Sequence, residues 1–330
     1  FHYFGYWIAF CFIMQAVVFV VLLVELNWRN YIAVIAGSVL GLAQTVLLTR
    51  YFHVALLAQF VIVIVVILGI RLQRGAPPFR ILASLFLLVA AVFLVHLYLF
   101  AMVFALASAV VIQGGLNKRL AWPTVARWFG LSGVTIGGLV AASGLAGAAS
   151  SGVGGLGVYS VNLIAPIAGN IDATGGQYEG YSYMGLGVVL PGIAVLVLAR
   201  QQVVSALRRH WVPVLTAVLM AVYALSPVVW IGETMSFDAP WFGPLDWLGE
   251  RFRSTGRFVW PLVYLSIAAT LFAVVRRFSP RVAAVVLLAA AAIQLGDMAP
   301  LVSNVETIIA SGEEEFLESE DWSEVIAAHD

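Results

Sequence analysis

The stretch Val54-Ala-Leu-Leu-Ala-Gln-Phe-Val-Ile-Val-Ile-Val-Val-Ile-Leu-Gly-Ile70 contains no Asp, Glu, Lys or Arg. An α-helix needs about 20 mostly apolar residues to cross the ~30 Å hydrocarbon core of a bilayer, and this run supplies most of one crossing. Ile81 to Val95 repeats the pattern. Neither stretch alternates apolar and polar residues with period two, so a transmembrane barrel strand is excluded and the spans are helical. Over the whole chain, hydrophobic residues make up 62% of 330 positions and charged residues 10%. A soluble globular domain does not carry that balance, and the fold class is an all-α integral membrane protein.

Working outward, apolar stretches fall near residues 3–26, 31–48, 53–70, 81–96, 99–114, 128–148, 183–200, 211–229, 258–275 and 282–299, a polytopic bundle of about ten transmembrane helices. The formal net charge of zero conceals a local asymmetry. Arg71/Arg74/Arg80, Lys118/Arg119/Arg127, Arg200/Arg208/Arg209 and Arg276/Arg277/Arg281 all fall on one face when the spans alternate. The positive-inside rule makes that face cytoplasmic. Because both its flanks are basic, the stretch from Arg80 to Asn117 is expected to be two short spans turning near His96 to Tyr98. The single cysteine, Cys11, lies in an apolar span and offers neither a disulfide nor a cysteine metal site.

The opposite face receives two polar loops, near 149–182 and 230–257. The first holds Tyr159, Asn162, Gln177, Tyr178, Glu179, Tyr181 and Tyr183. Tyrosines at a membrane boundary form aromatic belts, but an anchor has no need of the accompanying amides and carboxylate. Aromatic faces with directional donors and acceptors suit a hydroxyl-rich ligand such as a sugar. Glu179, beside an apolar span, is either such a contact or a cap on the helix that follows. The run from Ala141 to Gly157 is rich in Gly, Ala and Ser, which favours close helix packing.

The second loop spaces Trp241, Leu245, Trp247, Leu248 and Phe252 so that several would lie on one face of a short interfacial helix. Arg251, Arg253 and Arg257 follow, on the face where the charge rule predicts few basic residues. With Ser254 or Thr255 as cap, Arg257 would stand by the first turn of the next helix, where free N–H groups and the dipole favour phosphate. The alternative is pairing of these arginines with Asp246, Glu250 or lipid headgroups. His53 and His96 map to the same side and join the candidate vestibule. Gln15, Gln44, Gln59 and Gln294 more naturally tie helices together. The described spacing patterns for metal, phosphate-loop and dinucleotide sites are absent, so no metal or cofactor is expected within these residues.

Several blocks carry a resemblance: Phe1-His-Tyr-Phe-Gly-Tyr-Trp7, Gly157-Val-Tyr-Ser-Val-Asn-Leu163, Gln177-Tyr-Glu-Gly-Tyr-Ser-Tyr-Met-Gly-Leu-Gly187 and Phe252-Arg-Ser-Thr-Gly-Arg-Phe-Val-Trp-Pro261. His96-Leu-Tyr98 and Gln294-Leu-Gly-Asp297 join them, with Leu97 where the pattern more often has Pro. Together they resemble a bacterial family of polytopic membrane proteins placed among the GT-C-like glycosyltransferases, which take sugars from polyprenyl-phosphate carriers. The resemblance implies an inner-membrane enzyme acting on the extracytoplasmic side, in cell-envelope glycan, glycolipid or glycoprotein modification. It also implies a catalytic acidic base in a first outer loop upstream of Phe1. The expected substrate-binding residues are Arg253, Arg257, Glu179, Tyr178, Tyr181, Asn162, Tyr159, His53 and His96. Partners are the lipid bilayer, a polyprenyl-phosphate sugar and an acceptor, with no nucleic acid.

The chain begins without an initiator Met and ends in an acidic stretch from Glu313 to Asp330. It is therefore expected to be a piece of a longer protein, with a transmembrane domain over 1–310 and the start of a soluble segment over 311–330. A transporter or lipid flippase, and a non-catalytic scaffold for envelope assembly, are the competing classes.

Overall fold

The structure, a computed structural model, describes residues 3–26, 28, 30–144, 155–249 and 251–311. Most of the small-residue run, Glu250 as a partner for the arginines, and the acidic tail lie outside these residues. So do the side chains of Trp241, Asp246 and Trp247, on which the interfacial helix and one arginine pairing rested.

The helices in chain order are α1 (Tyr3–Glu25), α2 (Tyr31–Leu42), α3 (Thr45–Leu48), α4 (Phe60–Gln73), α5 (Pro78–Val95), α6 (Leu97–Leu116) and α7 (Trp122–Ala142). After the first loop come α8 (Ala165–Ala168), α9 (Leu186–Leu198), α10 (Arg200–Arg209), α11 (Trp211–Ala224), α12 (Asp246–Gly249), α13 (Trp260–Arg277) and α14 (Pro280–Ser311). Among the described residues, seven helical stretches are long and apolar enough to cross a membrane, eight if the bent pair α9 and α10 is one span. The protein is thus a multi-pass, membrane-embedded helical bundle in contact with lipid. Exposed apolar side chains such as Ile13, Leu94 and Val134 are the expected lipid-facing surface.

The ten expected spans differ from these for local reasons. The stretch 31–48 breaks at Gln44, whose extended backbone separates α2 from α3. With 12 residues, α2 extends only ~18 Å at 1.5 Å per residue, short of a crossing. The stretch 211–229 likewise closes at Ala224, and Ser226, at φ 69°, turns the chain into a strand. The stretch 183–200 ends where α9 and α10 bend by 97°. The span placed at 128–148 begins earlier, at Trp122, with Pro123 in the first turn where its missing N–H costs nothing.

The expected turn near His96 lies at His96 itself. Its extended backbone interrupts the two helices, and its Nδ1 accepts the Tyr98 N–H at 3.2 Å. The second loop holds an element that its sequence did not suggest, an antiparallel hairpin of β1 (Val228–Ile231) and β2 (Met235–Asp238). Its register pairs Val228 with Asp238 and Ile231 with Met235.

The core runs through α1, α4, α6 and α13, with Phe19, Leu22, Ile62, Leu106, Tyr264 and Leu271 fully or nearly buried. Amides stitch it together where no water is at hand. Gln59 donates to the Val46 carbonyl at 2.6 Å and accepts from the Tyr264 hydroxyl at 2.7 Å. Gln15 donates to the Gly41 carbonyl, and Gln294 to that of Ala43. The glutamines therefore serve as helix ties.

The basic connections gather at one end of the bundle. Arg71 pairs with Glu25 at 2.6 Å, Arg209 donates to the Gln73 carbonyl, and Asn117 bridges Gln73 and Arg209. The two polar loops lie at the other end, since α13 carries Arg257 just before its first turn and Arg276 in its last.

Candidate functional site

The two loops meet, and glycine allows it. Gly256 donates its N–H to the Tyr159 carbonyl at 2.8 Å. A Cβ on Gly256 would stand 2.6 Å from the Gly180 Cα, and one on Gly180 would stand 2.4 Å from the Ser160 carbonyl oxygen. Only residues without a side chain permit the backbones this approach.

The contact brings Glu179, in the 3₁₀ turn Gln177–Gly180, against Arg257, in the 3₁₀ turn Thr255–Val259. Arg257 donates to the carboxylate from Nε at 3.0 Å and from Nη2 at 2.6 Å. From the opposite side Arg50 Nη1 donates to Glu179 Oε2 at 2.5 Å, while its Nη2 donates to the Tyr178 carbonyl at 2.6 Å. Arg50, Glu179 and Arg257 are 1%, 4% and 6% exposed, so the triad is shielded from water.

Burial pushes the Glu179 carboxyl upward, but the hydrogen bonds and charge of Arg257, with the charge of Arg50, outweigh it and hold the group below its ordinary value. Burial lowers the Arg50 guanidinium to about 10, against the pull of Glu179, so it stays charged at neutral pH. Two guanidiniums and one carboxylate leave a net charge of about +1 in a buried place, a costly arrangement that hydrogen bonding and aromatic faces offset. Arg257 lies 4.6 Å from the Tyr98 ring centroid, and Arg50 lies 5.4 Å from that of Trp260.

This geometry corrects three expectations. Arg257 is not poised at a helix end with its guanidinium free, because Glu179 occupies it. Ser254 and Thr255 provide no side-chain cap; the Ser254 N–H instead donates to the Tyr98 hydroxyl at 2.9 Å. Nor does Glu179 cap the helix that follows it: the Leu186 N–H at the start of α9 donates to Asp297 Oδ2 at 2.8 Å.

Asn162 is engaged structurally. Its Nδ2 donates to the Gly232 carbonyl at 2.8 Å and its Oδ1 accepts the Gly232 N–H at 3.0 Å, fastening the first loop to the hairpin turn. Asn162 is 1% exposed and leaves little for a ligand. Gln177, also buried, donates to Ser160 Oγ at 3.1 Å and accepts from Ala173 N–H at 2.9 Å.

The other expected residues form the rim around the triad. Tyr159 and Tyr178 meet edge to face at 6.2 Å, with Tyr178 43% exposed. The exposed Arg253 stands 6.0 Å from the Tyr159 centroid. His53 is exposed and His96 half-buried. Burial, then the charge of Arg257, then His53, lower the His96 imidazole to about 4. Burial also lowers His53, with Arg257 and Arg50 adding to it against Glu179. Tyr181, half-buried, is raised by burial and then by Asp172, with Arg50 opposing. Neutral imidazoles, phenols and one exposed guanidinium thus surround a buried positive charge. Such a surface can hold an anionic group and stack on a ring.

Sequence reading missed Arg50, Tyr98 as an arginine platform, and Trp260. The available signal for Arg50 was a cation beside His53 on the same side as Arg257, a fourth exception to the charge rule. No curated protein and no solved structure matches the chain. Residues 1–299 match the model of a family described as a domain of unknown function (DUF6311), and the chain belongs to that family.

Proposed function

We propose that the protein is the membrane-embedded part of a glycosyltransferase that moves a sugar from a polyprenyl-phosphate carrier to an acceptor on the extracytoplasmic side of a bacterial inner membrane. The observation that carries this reading is the placement of exposed Arg253 and Tyr178 and half-buried Tyr159 above the buried Arg50–Glu179–Arg257 triad, at a bundle end. The net positive triad favours a carrier phosphate at the surface, with Arg253 as its direct partner and the tyrosines as the platform for sugar. Arg257, Arg50 and Glu179 are positioning residues that hold the two loops in register. As the carrier phosphate leaves, the positive field would stabilise the charge it develops.

Glu179 is not the base, because both its oxygens accept from arginine. The resemblance supplies that role from an acidic residue in another loop, taking the proton of the acceptor as it attacks the anomeric carbon. A transporter or flippase has less in its favour, since Gln15, Gln59 and Gln294 are spent on helix ties.

The test is sugar transfer by the intact protein in proteoliposomes supplied with a polyprenyl-phosphate sugar. Arg253→Ala is expected to lower transfer at least tenfold without moving the thermal midpoint, because Arg253 is exposed. Undiminished transfer by that variant would remove Arg253 from the site. Carrier crossing between leaflets with no sugar transfer would replace the enzyme reading by the flippase one.

A further inference from the structure

The basic end of the bundle contains a cavity of about 360 Å³ that the function proposed above does not use. Leu22 of α1 and Leu26 just after it, Val65 of α4, Val110 of α6 and Leu265 and Phe272 of α13 supply its apolar walls. Its polar lining is of another kind: Arg74, Arg209 and Arg276, with Gln73 and His210. The cavity is therefore apolar along its depth and cationic where the basic ends of the helices converge. Arg257 precedes α13 and Arg276 stands in its last turn, and 18 residues at 1.5 Å each put about 27 Å between that place and the two-loop surface.

The cations divide into two groups. Arg71 and Arg74 both have Glu25 within ion-pair distance, at 2.6 and 3.9 Å. Arg209 and Arg276 have no carboxylate within ion-pair distance among the described residues. Arg209 donates to the Gln73 carbonyl at 2.8 Å, and Arg276 stands 5.7 Å from the Phe272 centroid. Burial, with Arg209 and Arg74 adding to it, lowers the His210 imidazole to about 4, so at neutral pH the positive charge there is arginine's.

The cover over the cavity is itself suited to a membrane surface. The 97° bend after α9 turns α10 across the base of the bundle. That helix buries Val203, contributes Ala206 and Leu207 to the cavity and carries Arg208 and Arg209 in its last turn. An amphipathic basic helix lying in the interface is where acidic headgroups concentrate.

We infer that this cavity is a binding site for an acidic diacyl phospholipid, with an acyl chain between α1, α4, α6 and α13 and its phosphate held by Arg209 and Arg276. The apolar depth selects a hydrocarbon chain, and two unneutralised guanidiniums at the mouth select an anionic head over a zwitterionic one. The site is independent of the sugar-transfer reading, and either stands if the other falls.

The test is native mass spectrometry of the intact protein, delipidated in neutral detergent and titrated separately with phosphatidylglycerol, phosphatidylcholine and a polyprenyl phosphate. Phosphatidylglycerol is expected to be retained at least tenfold more strongly than phosphatidylcholine. Arg209→Ala with Arg276→Ala should bring the two within threefold, while the paired lysine variants recover at least half of the preference, which separates lost charge from lost folding. Ala269→Phe, which fills the cavity from its wall, should reduce retention of phosphatidylglycerol at least fivefold in a protein with an unchanged elution volume. Equal retention of the two phospholipids by the unaltered protein, or a preference that survives the double alanine variant, would overturn the assignment. So would retention of the polyprenyl phosphate without phosphatidylglycerol, because the occupant would then be a single-chain carrier.

Discussion

Arg257 reaches Glu179, 78 residues away in sequence, through two hydrogen bonds of 3.0 and 2.6 Å, so one carboxylate locks the second polar loop onto the first. Arg50 closes the lock from a third segment, 129 residues from Glu179. The same contacts that assemble the surface also remove Glu179 and Arg257 from direct chemistry.

Breaking this lock should cost more than breaking a surface pair. Glu179→Gln leaves two buried guanidiniums without a counter-charge, and loss of one partner from a buried ion pair costs about 3–5 kcal/mol. Arg257→Lys keeps the charge but loses the bidentate geometry, and should fall between the unaltered protein and Glu179→Gln. Thermal unfolding in detergent micelles measures both, and a Glu179→Gln midpoint equal to that of the unaltered protein would show the triad to be dispensable.

Gly256→Ala should separate the loops. Its new methyl would collide with the Gly180 Cα at 2.6 Å and the Ser160 carbonyl carbon at 2.8 Å, and both obstacles are backbone. Overpacking of this kind costs about 1–3 kcal/mol. Protease accessibility of the two loops should rise together, whereas Gly243→Ala, with open space around its Cβ position, should leave it unchanged.

Acid should weaken the loop end through His96 and Glu179, with His53, also held below its ordinary value by burial, acting in the same direction. His96 titrates at 6.5 when unfolded and about 4 when folded, so protons favour the unfolded chain and stability is lost as pH falls from 6.5 towards 4. Glu179 is held below its ordinary 4.5, so its contribution is full above that value and disappears as pH falls through the folded one. Midpoints recorded from pH 7 to pH 4 should decline throughout, and His96→Gln should flatten the upper part of the decline. An unchanged slope between pH 6.5 and 5 in that variant would assign the effect elsewhere.

Inside the bundle, Tyr264→Phe removes the hydroxyl that donates to Gln59 Oε1 at 2.7 Å and leaves a buried acceptor unpaired. The expected cost is about 1–3 kcal/mol, seen as a lower midpoint with sugar transfer intact below it. Gln59→Leu with Tyr264→Phe should recover part of the loss, since removing both polar partners leaves neither unsatisfied.

The membrane class, the longer helical spans and the gathering of Arg71, Arg74 and Arg209 at one end were legible in the sequence because hydropathy and charge are summed along the chain, whereas seven or eight of the described helical stretches are of span length and not ten. The turn at His96 was legible for the same reason, as both flanks of its hairpin are basic. The break at Gln44, the 97° bend after Leu198 and the hairpin from Val228 to Asp238 were not, since each depends on backbone torsions or contacts with distant segments. The Arg253, Arg257, Tyr159, Tyr178 and Glu179 side chains were legible as polar groups of two loops on one face, but that the two loops meet was not. Their division into buried positioning groups and an exposed rim was invisible.

By itself, then, the sequence determined the solvent: 62% hydrophobic residues in runs of span length require a bilayer whatever the tertiary arrangement. It also pointed to the end of the bundle where the two polar loops gather, because arginines outside the basic face are costly and conspicuous. Only the tertiary structure decided what those arginines hold. Which charge neutralises which depends on a few ångströms between loops brought together by Gly180 and Gly256, and no periodicity along the chain encodes that distance.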